Sequence, residues 1–141
     1  MNIVSKDKVE EINKKFYEAI NSFDLNLMEN IWSNDKNAKC IHPGWPIING
    51  WEAIKDSWKN IFESSGFNQV DISQLFIDVK ENSAWVNCVE RISYRFENEI
   101  IITLAQTTNI YEYSEENWKL VLHHASPMPV PRGEDNTERL Q

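Results

Sequence analysis

Apolar residues recur at Val9, Ile12, Phe16, Ala19, Ile20 and Phe23. Steps of three and four put them on one face of a helix over residues 5–22, with Ser5 as its N-cap. Asp24 heads a second, shorter helix bearing Leu27, Met28, Ile31 and Trp32. Residues 33–37 form a polar loop, and Ala38 to His42 reads as a short strand. A turn and another short strand follow. Ile54, Trp58, Ile61 and Phe62 then mark a third helix from about Trp51 to Ser64, ended by Ser65-Gly66.

Beyond that point the period changes. Residues 70–79, 84–96, 100–113 and 118–125 read as four strands. The short polar breaks at Glu81-Asn82, Glu97-Asn98 and 114–117 suit antiparallel hairpins. Helices first and long strands afterwards predict an α+β domain, with a curved antiparallel sheet wrapped around N-terminal helices and a conical cavity between them. The domain is expected to span residues 1–128. The tail over 129–141, rich in proline at its start, is expected to be extended or disordered.

Composition narrows the function classes. With 141 residues, 41% of them hydrophobic, one domain can bury a real core without staples. A formal charge of -8 argues against nucleic acid or an anionic membrane surface as a partner. No apolar run approaches the ~20 residues of a spanning helix. The N-terminus lacks the apolar stretch of a signal peptide. Cys40 and Cys88 each sit in an apolar strand without a CxxC neighbour, as buried reduced thiols of a cytoplasmic protein do.

Several residues carry candidate chemistry. His42 lies at a strand end before Pro43, where an imidazole titrating near neutrality suits a general base at a pocket rim. Glu90 breaks its face: Ala84, Val86, Cys88, Glu90 and Ile92 alternate, so the parity that buries the small apolar residues also buries a carboxylate. Such a group needs a partner or a shifted pKa, which marks it as a site candidate. A structural ion pair with Arg91 or Arg95 across a strand, or a simply exposed position, is the plainer reading, and the reversed parity would turn Trp85, Val89 and Arg91 inward instead. His123 and His124 are adjacent on a strand and point to opposite faces, so one of them lines the pocket, and the pattern leaves open which. Trp58 has core spacing with Ile54 and Ile61, whereas Trp45, between Gly44 and Pro46, suits a rim or lid. A metal site built from His42, Glu90 and a strand histidine lacks any ligand-spaced motif, so no metal and no cofactor are expected.

From about Val9 to Pro129 the chain resembles the nuclear transport factor 2-like superfamily, in its SnoaL-like branch. The resemblance rests on Phe23-Asp24-Leu25, His42-Pro43, Gly50-Trp51-Glu52-Ala53-Ile54 with Trp58, Ala84-Trp85-Val86 to Glu90, Thr108-Asn109, and Trp118 leading into His123-His124-Ala125-Ser126-Pro127. It implies a cone-shaped domain, usually a homodimer through the sheet, and a similarity to ketosteroid isomerase. There an Asp-Pro stands where this chain has His42-Pro43, and the aspartate is the base. By the same resemblance Phe16 matches the oxyanion-hole tyrosine and Asn109 falls near the oxyanion-hole aspartate. One strong donor is thus lost and the other replaced, so steroid isomerisation is not carried over.

Two readings follow. One is a pocket for a small, mostly apolar molecule bearing a carbonyl or hydroxyl, with cofactor-free isomerase, lyase or cyclase chemistry. His42, Glu90 and Asn109 would act on the ligand, and Phe16, Trp45, Trp58 and one of His123 and His124 would hold it. The other is a homo-oligomerisation module, resembling the association domain of calcium/calmodulin-dependent kinase, with Trp85, Val89, Tyr94 and the Trp118 strand at the interface.

Overall fold

The computed structural model describes residues 3–64, 66–131 and 137–139. Helix α1 (Ile3–Ser22) lays its apolar line across the concave side of the sheet. It begins two residues before Ser5, which therefore lies inside the first turn and is not the N-cap. Phe23 closes α1 with a positive φ of 56°. Asp24 does cap α2 (Leu25–Ile31), accepting from Leu27 N at 3.0 Å. Trp32 ends that helix and bridges to Leu120.

Strands β1 (Lys39–Ile41) and β2 (Ile48–Asn49) pair with each other and lead into α3 (Trp51–Glu63). Gly50 makes that junction with a φ of 84°, a conformation that a side chain would strain. The four long strands are β3 (Phe67–Val79), β4 (Ser83–Phe96), β5 (Glu99–Ser114) and β6 (Asn117–Met128). The sheet order is β2-β1-β6-β5-β4-β3, antiparallel except where β1 runs parallel beside β6. At the far end of β5, β7 (Thr137–Arg139) pairs with Glu99 to Ile101. Residues 132–136, 140 and 141 of the expected tail lie outside the described residues.

Among the described residues three register shifts bend this sheet, the first between Phe67 and Gln69 at the start of β3. The second shift of β3 lies between Ser73 and Phe76, with Gln74 at a φ of 54°. In β6 the extra residue is Val121: Leu122 pairs with Ile110, while Leu120 pairs with Tyr111. A bulge adds one residue on one strand, so alternation restarts on its far side. Leu120 and His123 both face the core although their numbers differ by three. Ala84, Val86, Cys88 and Glu90 share the concave face, and Trp85 faces outward. α1 fills the centre of that face with Phe16, which meets Tyr17, Trp32, Trp58 and His123 edge-on at ring separations of 5.0 to 6.3 Å. Among the described residues, no helix is long and apolar enough to cross a membrane.

Candidate functional site

Between the helices and the concave face of the sheet lies a cavity of about 300 Å³. Helix α1 contributes Ile20 to its wall. The turn after β1 brings His42 and Trp45, α3 brings Trp58, and the strands bring Phe67, Glu90, Tyr94 and His123. Trp45 covers the mouth and is 44% exposed, as the rim position predicted. Its ring stands edge-on to His42 at 4.7 Å, and Trp58 does the same from the other side. His42 and His123 are 6.4 Å apart between ring centres. Neither lysine nor arginine lines the cavity among the described residues.

Hydrogen bonds fix the state of both imidazoles. Ser57 donates its only hydroxyl proton to Ile54 O at 2.6 Å, so it must accept from His42 Nε2, 2.9 Å away. The proton of His42 therefore sits on Nε2. Burial lowers this histidine from its ordinary 6.5 to about 4. It is neutral at pH 7 and weaker as a base than its position in the sequence suggested.

Behind the cavity lies a polar chain shut off from solvent. Asn109 sits between Val86 and His123 in one cross-strand row. Its amide donates to Tyr17 Oη and to Asn13 Oδ1, each at 3.1 Å. Its oxygen is then left to accept from His123 Nδ1 at 2.6 Å. Tyr17 passes its own proton to Glu90 Oε2 at 2.7 Å, and Tyr111 donates to Asn13 at 2.8 Å. His123 is thus held as the Nδ1–H tautomer with its Nε2 lone pair free. Burial, then His42 and His124, push its pKa well below the usual range.

Glu90 is 4% exposed, and its oxygen Oε1 has no hydrogen-bond partner among the described residues. Burial lifts its pKa from 4.5 to about 7. The hydrogen bond from Tyr17 pulls the other way, as does the nearby Thr107 hydroxyl, which reaches no partner at full hydrogen-bond geometry. The carboxyl is therefore poised near neutrality. Neither the Arg91 nor the Arg95 ion pair considered for Glu90 forms, because both arginines point away from the concave face. Cys40 and Cys88 are buried and free, and burial raises the pKa of both thiols, that of Cys88 to about 11. Among the described residues, no cluster of three His, Cys, Asp or Glu side chains is placed to hold a metal ion.

Of the residues singled out from sequence, His42, Glu90, Trp45, Trp58 and His123 line the cavity. Three do not. His124 is exposed on the outer face, because neighbours on a strand point oppositely and His123 takes the inner side. Phe16 is fully buried beneath His123 and Trp58 and forms packing behind the wall. Asn109 is also fully buried and reaches the cavity only through His123. Tyr17, Asn13 and Ser57 were missed. For the first two a signal existed: Val9, Asn13 and Tyr17 are four apart on the core face of α1, and a polar side chain there needs a buried partner.

Comparison with known proteins agrees with this architecture. Residues 9–131 match the SnoaL-like domain family. The F-box protein SKIP8 of Arabidopsis thaliana is 25% identical over 120 residues, covering 84% of this chain and 49% of that protein, so the chain spans about half the length of this curated relative. Among solved structures, a candidate dehydratase from the NTF2-like family of Streptomyces avermitilis superposes with a TM-score of 0.78 at 23% identity, over 92% of this chain and 100% of that one. A candidate calcium/calmodulin-dependent protein kinase type II association domain from Thiobacillus denitrificans gives a TM-score of 0.69 at 28% identity, over 85% and 94%. The chain belongs to the SnoaL-like domain family.

Proposed function

We propose that the cavity binds a small, mostly apolar molecule bearing a carbonyl or hydroxyl, and that Glu90 exchanges a proton with it in a cofactor-free isomerisation or elimination. The observation that carries this is a carboxyl 4% exposed on the wall of an aromatic cavity, with a pKa near 7. A group titrating at the working pH is the most effective general acid or base. Neutral His42, at the mouth, offers its Nδ1 lone pair to a ligand hydroxyl. Asn109 and Tyr17 act from behind, through His123 and Glu90. The test is a thermal-shift screen of small ketones and alcohols at pH 6 and pH 8, followed by NMR detection of deuterium uptake from solvent into each hit. A native-state ligand raises the melting temperature. Uptake in the wild type that disappears in Glu90→Gln supports the reading. Binding without uptake removes the catalytic half of it.

A second reading, self-association through the outer sheet face, has its own support. Trp85, Ile110 and Leu122 form one cross-strand row there, and Trp85 is 41% exposed. The 28% identity to a candidate association domain points the same way. Light scattering decides it: a Trp85→Lys variant that dissociates a wild-type oligomer supports the interface, and a monomeric wild type rules it out.

A further inference from the structure

The cavity wall presents hydrogen-bond acceptors without a matching cation. Glu90 Oε1 has no partner among the described residues, and the tautomer fixed by Asn109 leaves His123 Nε2 equally free. Both atoms belong to side chains that line the cavity, and His123 is 2% exposed. Lone acceptors in a low-dielectric site cost free energy until a donor meets them. Neither lysine nor arginine lines the cavity among the described residues, and the Thr107 hydroxyl beside Glu90 is neutral and falls short of full hydrogen-bond geometry. The remaining wall is aromatic: Trp45, Trp58, Phe67 and Tyr94. Ring faces attract positive charge, most strongly when water is excluded. The chain as a whole carries a formal charge of -8, which draws cations and repels anions.

We infer that the ligand carries a protonated amine, whose N–H groups meet Glu90 Oε1 and His123 Nε2 inside the aromatic wall. This rests on the small-molecule reading above and narrows its ligand class: an amine beside the carbonyl or hydroxyl, and no carboxylate or phosphate. A neutral amine that enters while Glu90 is protonated takes up that proton, so both entry states give the same net-neutral ammonium–carboxylate pair. The volume of about 300 Å³ holds roughly ten water-sized groups, enough for one aromatic ring with a short aminoalkyl arm.

The titratable groups around Glu90 do not substitute for that cation. Tyr17 on α1, Cys88 and Tyr94 on β4 and Cys40 on β1 are all held protonated and neutral, by burial first and the Glu90 charge after it. His42 and His123 are neutral because burial disfavours their charged forms.

The test is calorimetric titration of the full chain with three matched probes: phenethylamine, phenethyl alcohol and phenylacetate. Phenethylamine should bind at least tenfold more tightly than the alcohol at pH 8, and phenylacetate should bind more weakly than both. Between pH 8 and pH 6 the amine should lose about tenfold in affinity as Glu90 takes up its proton, while an alkylammonium stays charged and the alcohol's affinity holds. Glu90→Gln, which keeps an acceptor for Tyr17, should erase the amine's advantage over the alcohol. If that variant does not fold, the wild-type pH comparison decides alone, and a pH-independent amine affinity overturns the inference. Trp45→Ala, at the exposed rim, should reduce amine binding several-fold more than alcohol binding. Equal binding of amine and alcohol sinks the cation while the cavity reading stands. No binding by any of the three sinks both.

Discussion

Glu90→Gln should change how stability depends on pH. Glutamine keeps the shape and the acceptor for Tyr17 but cannot ionise. In the wild type, burial raises the carboxyl from 4.5 to about 7. That gap, at about 1.4 kcal/mol per pH unit, corresponds to roughly 3 kcal/mol. The sign follows from proton uptake. Below pH 4.5 the folded and unfolded chains both hold the proton, so nothing is lost. Between 4.5 and 7 the unfolded chain releases it while the folded chain keeps it, so stability falls as pH rises, and the loss is complete just above pH 7. His42 works in the opposite sense. Its pKa is lowered from 6.5 to about 4, so its contribution is present above 6.5 and is lost as pH falls through 4. His123, also lowered by burial, works in the same sense as His42, so the two histidines together oppose the Glu90 slope over the acid range. Glu90→Gln removes one slope. Relative to the wild type, the variant should gain roughly 3 kcal/mol between pH 4.5 and pH 8, read by urea denaturation at both ends. Parallel stabilities for the two proteins across that range would refute the assignment of a buried, raised carboxyl.

Two further outcomes are expected. Tyr17→Phe removes the hydrogen bond that pulls Glu90 down, so the carboxyl should titrate above about 7 in a carbon-13 NMR titration, at a stability cost of roughly 1–3 kcal/mol; an unmoved midpoint would mean that Tyr17 does not set it. His124→Ala should change stability by less than about 0.5 kcal/mol and leave ligand affinity alone, whereas His123→Ala, which strands the Asn109 oxygen, should cost roughly 1–3 kcal/mol in denaturant; the reverse ranking would put the other histidine inside.

Much of the frame was legible because its signals are local. Apolar residues three and four apart marked α1 and α3, and Asp24 marked the start of α2. Alternation from Ala84 to Glu90 pointed to the face of β4 that is buried, and with it to Glu90, although the opposite parity stayed open until pairing decided it. The choice between His123 and His124 was not legible. Counting by twos from Trp118 puts His124 inward, and only the extra residue at Val121 reverses that, a matter of pairing with β5 that no property of β6 reveals. Tyr17 escaped for a related reason. On a helix it reads as one more aromatic, and its role appears only when β4 and β5 bring Glu90 and Asn109 to within hydrogen-bond reach, 73 and 92 residues along the chain. The weak basicity of His42 likewise comes from burial under two tryptophans, which spacing cannot report.

The bulge at Val121 also bears on chain length. Without that residue, Leu120, Leu122, His123 and His124 would fall into plain alternation with every side chain on its present face. Deleting Val121 should therefore be among the least disruptive ways to shorten β6. What the strand would lose is its local kink, since a bulge sharpens bend and twist where it sits. The wall that carries His123 would straighten, and the space beneath α1 would close or gape without one lining residue having been exchanged. The size of this cavity is thus set partly by a residue that never touches it, and related chains could retune what they admit by gaining or losing a single position there.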